Sequence, residues 1–112
     1  MIKRYYHATD YKNINSIFAE GIKPGCDGVI YLCEDPVHAA NFVALRGIFK
    51  IAVFELELDD SEVEETFDHN ARFFKCKAYG LNRTYHIDND SRILVYHVKE
   101  ETDFKKVQHE NN

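Results

Sequence analysis

Apolar and polar residues alternate most regularly in the stretch KIAVFELEL, residues 50–58. In an extended chain Phe54, Leu56 and Leu58 lie on one face, and the two glutamates between them lie on the other. Because successive side chains of a strand point to opposite faces, this pattern predicts a half-buried strand. Shorter apolar or aromatic runs predict further strands at residues 2–9, 28–33, 71–79, 84–87 and 92–99.

A first helix is predicted after the opening strand. Ile14, Ile17 and Phe18 have helical spacing, and the Thr-Asp pair at residues 9–10 offers two capping side chains. Gly21 is a residue type that commonly ends a helix.

A second helix is predicted after the strand at residues 28–33. Asp35 can cap its first turn, where Pro36 is also well tolerated, and Gly47 can end it. The helix has an apolar side made of Val37, Ala40, Phe42 (or Val43) and Ala44.

The order of these elements predicts the fold class. Both helices come early in the 112 residues, and the remaining strands follow them, which favours an α+β fold over a doubly wound one. We expect a compact, split, mostly antiparallel sheet flanked by two helices, as a single domain over residues 1–99. Residues 100–112 are polar and are expected to form a frayed tail.

The balance of charge limits the partners that the chain can bind. Fourteen basic and nineteen acidic residues give a formal net charge of −5, which disfavours non-specific binding to nucleic acid. Residues 55–65 contain seven acidic residues and no basic one. This stretch is interpreted as a strand end and a solvated loop, or alternatively as a surface for a basic partner or one that mimics nucleic acid.

Composition also bears on the cellular compartment. The sequence has no apolar run near the ~20 residues that a membrane span needs, and its opening residues turn polar too soon for a signal peptide. An odd number of cysteines, three, fits a reducing compartment. We expect a cytoplasmic protein without membrane association, or one in the host-cell cytoplasm if it is a toxin or viral factor.

Several common catalytic and metal-binding patterns are absent from the sequence. The six histidines form no HExxH or paired Cys/His spacing, and Cys26 and Cys33 are too far apart for a zinc knuckle, so no metal site is predicted. Cys33 and Cys76 are candidate nucleophiles, although buried structural thiols are more common. The chain has neither a P-loop nor a GxGxxG motif.

One ordered set of residues is more specific. His7, Ala8 and Thr9 end the first predicted strand, Tyr31 lies in a strand that a glycine precedes, and Phe42 lies in the second helix. Their order and spacing resemble the NAD-binding core of the ADP-ribosyltransferase superfamily, on its poly(ADP-ribose) polymerase-like side, over about residues 5–98. Residues 21–59 also resemble the RNA 2′-phosphotransferases of that superfamily.

The resemblance implies NAD as the substrate, without a metal, and a role for each matching residue. His7 would hydrogen-bond the adenosine ribose, Thr9 would reach the same region, and the backbone of Ala8 would hold the carboxamide. Tyr31 and Phe42 would stack on the nicotinamide ring. Cleavage of the bond between nicotinamide and ribose passes through an oxocarbenium-like sugar, as in glycoside hydrolysis.

The chain departs from the family at one position. The family commonly has a glutamate at the start of a late strand. If Ser91, Arg92, Ile93 and the last predicted strand are aligned with the family pattern, Thr84 occupies that position. Thr84 is therefore taken with His7 and Tyr31 as the predicted catalytic set, and its identity argues against chain elongation. The acids Asp88, Asp90 and Glu100 would matter in another register, although the first two also suit a turn.

The resemblance thus implies an NAD-dependent mono-ADP-ribosyltransferase that releases nicotinamide and modifies a macromolecule, more readily a protein than a nucleic acid. One alternative is a catalytically inactive module on the same fold that binds NAD or ADP-ribose or blocks a partner. Further alternatives are an NAD glycohydrolase and an RNA 2′-phosphotransferase-like enzyme, and the net charge opposes the latter. The sequence does not identify the acceptor.

Overall fold

The computed structural model describes residues 1–66 and 77–98 in full, and the backbone of residues 108–111. These residues form two helices and seven strands, which confirms the predicted α+β class. The helices are α1 (Ile14–Glu20) and α2 (Pro36–Ala44). The strands are β1 (Ile2–Asp10), β2 (Ile30–Leu32), β3 (Lys50–Asp59), β4 (Val63–Thr66), β5 (Ala78–Leu81), β6 (Ile93–His97) and β7 (Gln108–Asn111).

The strands form two antiparallel sheets, with the orders β1-β3-β6-β7 and β2-β5-β4. In the first sheet, β1 pairs with β3 from Ile2 opposite Asp59 to Asp10 opposite Ile51. The two sheets are linked by an isolated bridge between Tyr6 of β1 and Cys33, the residue after β2. Beyond this bridge β1 and β2 no longer pair as strands, and the gap between them is where the candidate site lies.

The central strand β3 is buried on both faces from Ile51 to Phe54, and beyond Phe54 it is half-buried, as predicted. Phe54, Leu56 and Leu58 pack into a core with β2, β5 and α1, as the alternating pattern predicts. Ile51 and Val53 lie on the other face and pack against α2. This double burial fixes both α2 and the second sheet relative to β3.

Helix α1 begins after a short 3₁₀ turn that Asp10 caps by accepting a hydrogen bond from the Lys12 backbone N–H at 3.1 Å. Ile17 is buried, whereas Phe18 is 42% exposed. The helix ends at Gly21, whose φ of +84° lies in the region that glycine adopts readily, as its position in the sequence predicts.

Helix α2 follows the predicted pattern at its start. The Asp35 carboxylate accepts hydrogen bonds from two backbone N–H groups of the first turn, at 2.8 and 3.3 Å, and Pro36 follows it. Of the two alternatives for the apolar side, Val43 is buried in the core, whereas Phe42 is half-buried and faces a cavity. Val37 is exposed, so it does not belong to the packed side.

The later part of the chain differs from the prediction at residues 63–66, which form β4 where a solvated loop is predicted, at residues 84–87 and in the C-terminal tail. Residues 84–87 form no strand, and Tyr85 makes only an isolated bridge to Ile22. The strand predicted at 71–79 is described only from residue 77 on, where β5 covers Ala78–Leu81. Within the predicted frayed tail, β7 pairs with the outer edge of β6, and the other tail residues lie outside the described part. No helix in the described ranges is long and apolar enough to cross a membrane.

Candidate functional site

A cavity of about 620 Å³ lies where β1 and β2 separate. Its walls come from the second half of β1, the loop that leads into β2, and α2 with the turn that follows it. All five residues predicted to bind the cofactor line it: His7, Ala8, Thr9, Tyr31 and Phe42. The fold thus brings together side chains from three separate segments of the sequence.

The separation of the strands begins at the bridge between Tyr6 and Cys33. The N–H of each residue donates to the carbonyl oxygen of the other, at 2.8 and 2.9 Å. Continued pairing in this antiparallel register would set Ala8 opposite Tyr31. Instead, Nδ1 of His7 lies 2.9 Å from the carbonyl oxygen of Tyr31. A side chain thus takes the place of a backbone donor, and the ladder stops there.

This contact determines the hydrogen-bonding state of His7. A carbonyl oxygen only accepts, so Nδ1 must carry a hydrogen. Burial lowers the pKa of His7, the hydrogen bond to Tyr31 opposes the change, and the charge of Arg46 lowers the pKa further. The imidazole is therefore neutral at pH 7, with Nε2 as an acceptor. His7 lines both the main cavity and a smaller adjoining one of about 250 Å³.

The backbone of Ala8 offers one donor and one acceptor to the cavity. The N–H and C=O of Tyr6 point away from β3, because they bond to Cys33. Backbone groups alternate in direction along an antiparallel strand, so those of Ala8, two residues on, also point away from β3. Ala8 lines the cavity, and this donor–acceptor pair matches the needs of a carboxamide.

The side chain of Tyr31 is exposed at the cavity wall and is not part of the core. Its neighbours Ile30 and Leu32 are each 1% exposed, whereas Tyr31 on the opposite face of β2 is 42% exposed. Its hydroxyl donates a hydrogen bond to the carboxylate of Asp27. This bond lowers the pKa of Asp27, so the carboxylate is ionised at pH 7.

Four charged side chains also line the cavity, namely Asp10, Lys23, Asp27 and Arg46. None of these four is among the predicted site residues. Lys23 and Asp27 lie beside Pro24, Gly25 and Gly28, in a stretch that the sequence predicts as a turn. Lys23 is paired with Glu20 at 2.8 Å. Arg46 makes no ion pair with the described residues and is the more available cation.

Thr84, the third predicted catalytic residue, is not part of the cavity lining. Its methyl carbon lies 3.0 Å from the position that a Cβ on Gly21 would occupy. The alternative acids do not replace it: Asp88 accepts a hydrogen bond from the backbone N–H of Asp90 at 2.9 Å in a turn, and neither lines the cavity. Glu100 lies outside the described residues.

The acidic segment at residues 55–65 is largely paired within the protein. The strongest pair joins Glu62 to Arg83, whose Nε and Nη2 both donate to one carboxylate oxygen at 3.0 and 2.8 Å. Hydrogen bonds from Ser61 and the N-terminal amine hold the pKa of Asp59 at about 2. Other pairs at 3.3–4.0 Å are Glu55–Arg92, Glu57–Arg4, Asp60–Lys3, Asp60–N-terminus and Glu65–Lys77. A basic partner would have to compete with these contacts.

Two of the three cysteines lie within the described residues. Cys33 is buried at the strand bridge, Cys26 is exposed at the cavity wall, and Cys76 lies outside the described residues. Within residues 1–66 and 77–98, no group of three His, Cys, Asp or Glu side chains is placed to hold a metal ion.

No protein-family model, curated protein or solved structure matches the chain.

Proposed function

We propose that this protein is an NAD-dependent mono-ADP-ribosyltransferase that transfers ADP-ribose to a protein and releases nicotinamide. The observation that carries the proposal is that one cavity is lined by all five residues for which the family resemblance implies contacts to NAD. They come from β1, β2 and α2, so their convergence is a property of the fold and not of a local motif.

The cavity offers the kinds of contact that such a reaction uses. Nε2 of neutral His7 accepts a hydrogen bond from a ribose hydroxyl. The backbone of Ala8 pairs with the carboxamide of nicotinamide, and the rings of Tyr31 and Phe42 contact its faces. These contacts hold the ring while its bond to the ribose breaks, which fixes the orientation of the leaving group.

The bond changes in the proposed reaction balance without a further reactant. The bond between ribose C1′ and the nicotinamide nitrogen breaks, and the electron pair leaves with the nitrogen, so the cationic ring becomes neutral nicotinamide. An acceptor nucleophile forms the new bond to C1′ and loses a proton to solvent. The sugar is oxocarbenium-like between these events, and nearby carboxylates stabilise that charge.

A second candidate is an NAD- or ADP-ribose-binding module without turnover. The position of Thr84 favours it, because the residue at the family's glutamate position lies outside the cavity. Asp10 and Asp27 are the carboxylates among the lining residues. The transferase proposal therefore requires catalysis without a carboxylate at position 84. The charge of −5 disfavours an RNA substrate.

The test is nicotinamide release from NAD by the purified protein, with and without cell lysate as a source of acceptors. His7→Ala removes a residue of the proposed site. His38→Ala is the matched control, because His38 lies on α2 but outside the cavity lining. Circular dichroism and thermal melts establish that each variant is folded.

Each outcome separates the candidates. Release that depends on lysate, together with labelled protein, supports a transferase when it is lost in His7→Ala and kept in His38→Ala. Equal release without lysate and without labelling would indicate a glycohydrolase. Binding of NAD without release would favour the binding module. If the folded protein neither binds NAD nor releases nicotinamide from it, a role for NAD is refuted.

A further inference from the structure

The cavity wall contains a tyrosine, Tyr31, whose hydroxyl is hydrogen-bonded to the ionised carboxylate of Asp27. Tyr31 stands out from β2 with 42% of its surface exposed, and its hydroxyl donates to Asp27 in the preceding loop. Both residues line the cavity. Asp10, the other lining carboxylate, instead caps the 3₁₀ turn through the N–H of Lys12.

This pair gives the wall a preference for positive charge. The face of an aromatic ring is electron-rich and attracts cations, and tyrosine is among the better rings for this contact. A hydroxyl that donates to an anion leaves its ring richer in electrons, because the oxygen gains partial negative charge. The carboxylate adds a direct attraction for any cation held against the ring.

We propose that the Asp27–Tyr31 pair makes the cavity selective for a cationic, pyridinium-type ring over its neutral counterpart. This deepens the proposed function, on which the identity of the physiological ligand rests. The nicotinamide ring is cationic in NAD and neutral both in NADH and in released nicotinamide. The pair would therefore distinguish substrate from the reduced dinucleotide, and it would hold the leaving group less tightly once the bond has broken.

The expected size of the selectivity follows from the exposure of the wall. Cation–π contacts at exposed sites change affinity by a factor of about two to five, and desolvated ones by more. We expect NAD to bind about fivefold more tightly than NADH, and 1-methylnicotinamide, a cation, to exceed neutral nicotinamide by a similar factor. The small pair tests the wall without contributions from ribose and phosphate.

The decisive variant is Asp27→Asn, which removes the charge and keeps an oxygen that can accept from the Tyr31 hydroxyl. Asp10→Asn is the matched control, since it removes one charge from another part of the cavity wall and leaves the Tyr31 contact intact. Tyr31→Phe and the double variant Tyr31→Phe/Asp27→Asn test whether Asp27 acts through the ring. Affinities for all four ligands are measured by NMR titration, with chemical-shift dispersion as the check of folding.

We expect Asp27→Asn to bring both affinity ratios to within about twofold of unity, whereas Asp10→Asn should keep them near the wild-type values. We also expect Asp27→Asn to have a smaller effect once Tyr31 is Phe, because only the direct attraction of the carboxylate is then left to lose. Unchanged ratios in Asp27→Asn would overturn the proposal, as would equal losses in the two aspartate variants. Binding of NAD with no preference over NADH would refute the selectivity alone, whereas failure of NAD to bind, with 1-methylnicotinamide still preferred, would refute only the proposed function.

Discussion

His7 has two functions, a hydrogen bond that joins β1 to β2 and an acceptor that faces the cavity, and two substitutions can distinguish them. His7 uses Nδ1 to donate to the Tyr31 carbonyl at 2.9 Å and leaves Nε2 as an acceptor. His7→Ala removes both functions. In His7→Asn, the amide nitrogen occupies nearly the place of Nδ1, so the bond between the strands is kept and only the acceptor at Nε2 is lost.

The expected magnitudes differ for the two variants. One hydrogen bond of this kind contributes about 0.5–1.5 kcal/mol to the free energy of unfolding. His7→Ala should therefore lower that free energy by about 1 kcal/mol, and His7→Asn by less than about 0.5 kcal/mol. Loss of one hydrogen bond to NAD should weaken its binding about tenfold in His7→Asn and by at least as much in His7→Ala.

Urea denaturation followed by circular dichroism measures the stability, and NMR titration measures the affinity for NAD. Stability should recover in His7→Asn, whereas the affinity for NAD should not. If His7→Asn binds NAD as tightly as the wild type, Nε2 makes no contact with the ligand. If it is as unstable as His7→Ala, the bond to Tyr31 is not what position 7 contributes to the fold.

Two further predictions concern stability. Gly21→Ala should lower the free energy of unfolding by about 3 kcal/mol. A side chain is strained at φ +84°, and its Cβ would lie 2.9 Å from the Tyr85 carbonyl oxygen. A loss below about 1 kcal/mol in urea denaturation would contradict this prediction. Burial lowers the pKa of His7 in the folded state, so the unfolded chain takes up a proton first as the pH falls. The contribution of neutral His7 to stability is therefore present above the unfolded pKa of about 6.5 and is lost as the pH falls below it. The free energy of unfolding measured from pH 7.5 to pH 5.5 should accordingly fall more steeply in the wild type than in His7→Asn, and parallel curves would contradict it.

The elements that could be predicted from the sequence are those that local physics determines. The alternation through Phe54, Leu56 and Leu58 defines a strand because one face must be buried. The carboxylate of Asp35 and the proline after it define the start of α2, whatever that helix packs against. The residues predicted to bind NAD are different, because they are predicted from the order of short motifs. In the structure they line one cavity.

The parts that could not be predicted depend on contacts between distant segments. Residues 84–87 have the composition of a strand, but only Tyr85 finds a partner, Ile22, so no ladder forms. The role of Asp27 depends on the direction of the Tyr31 side chain, which local sequence does not reveal. The pairing of Glu62 with Arg83, 21 positions away, likewise turns a stretch that reads as an open acidic surface into one with internal partners.

The way in which the strand ladder ends also accounts for the chemistry available in the cavity. An antiparallel ladder that continued past Tyr6 would consume the N–H and C=O of Ala8 in pairing with Tyr31. The His7 imidazole takes the Tyr31 carbonyl instead, so the backbone of Ala8 stays available to a ligand, and the same bond fixes which nitrogen of His7 carries the hydrogen. A substitution at position 7 that allowed the ladder to close would remove two recognition elements at once. The ligand-binding defect should then be larger than the loss of one histidine contact explains.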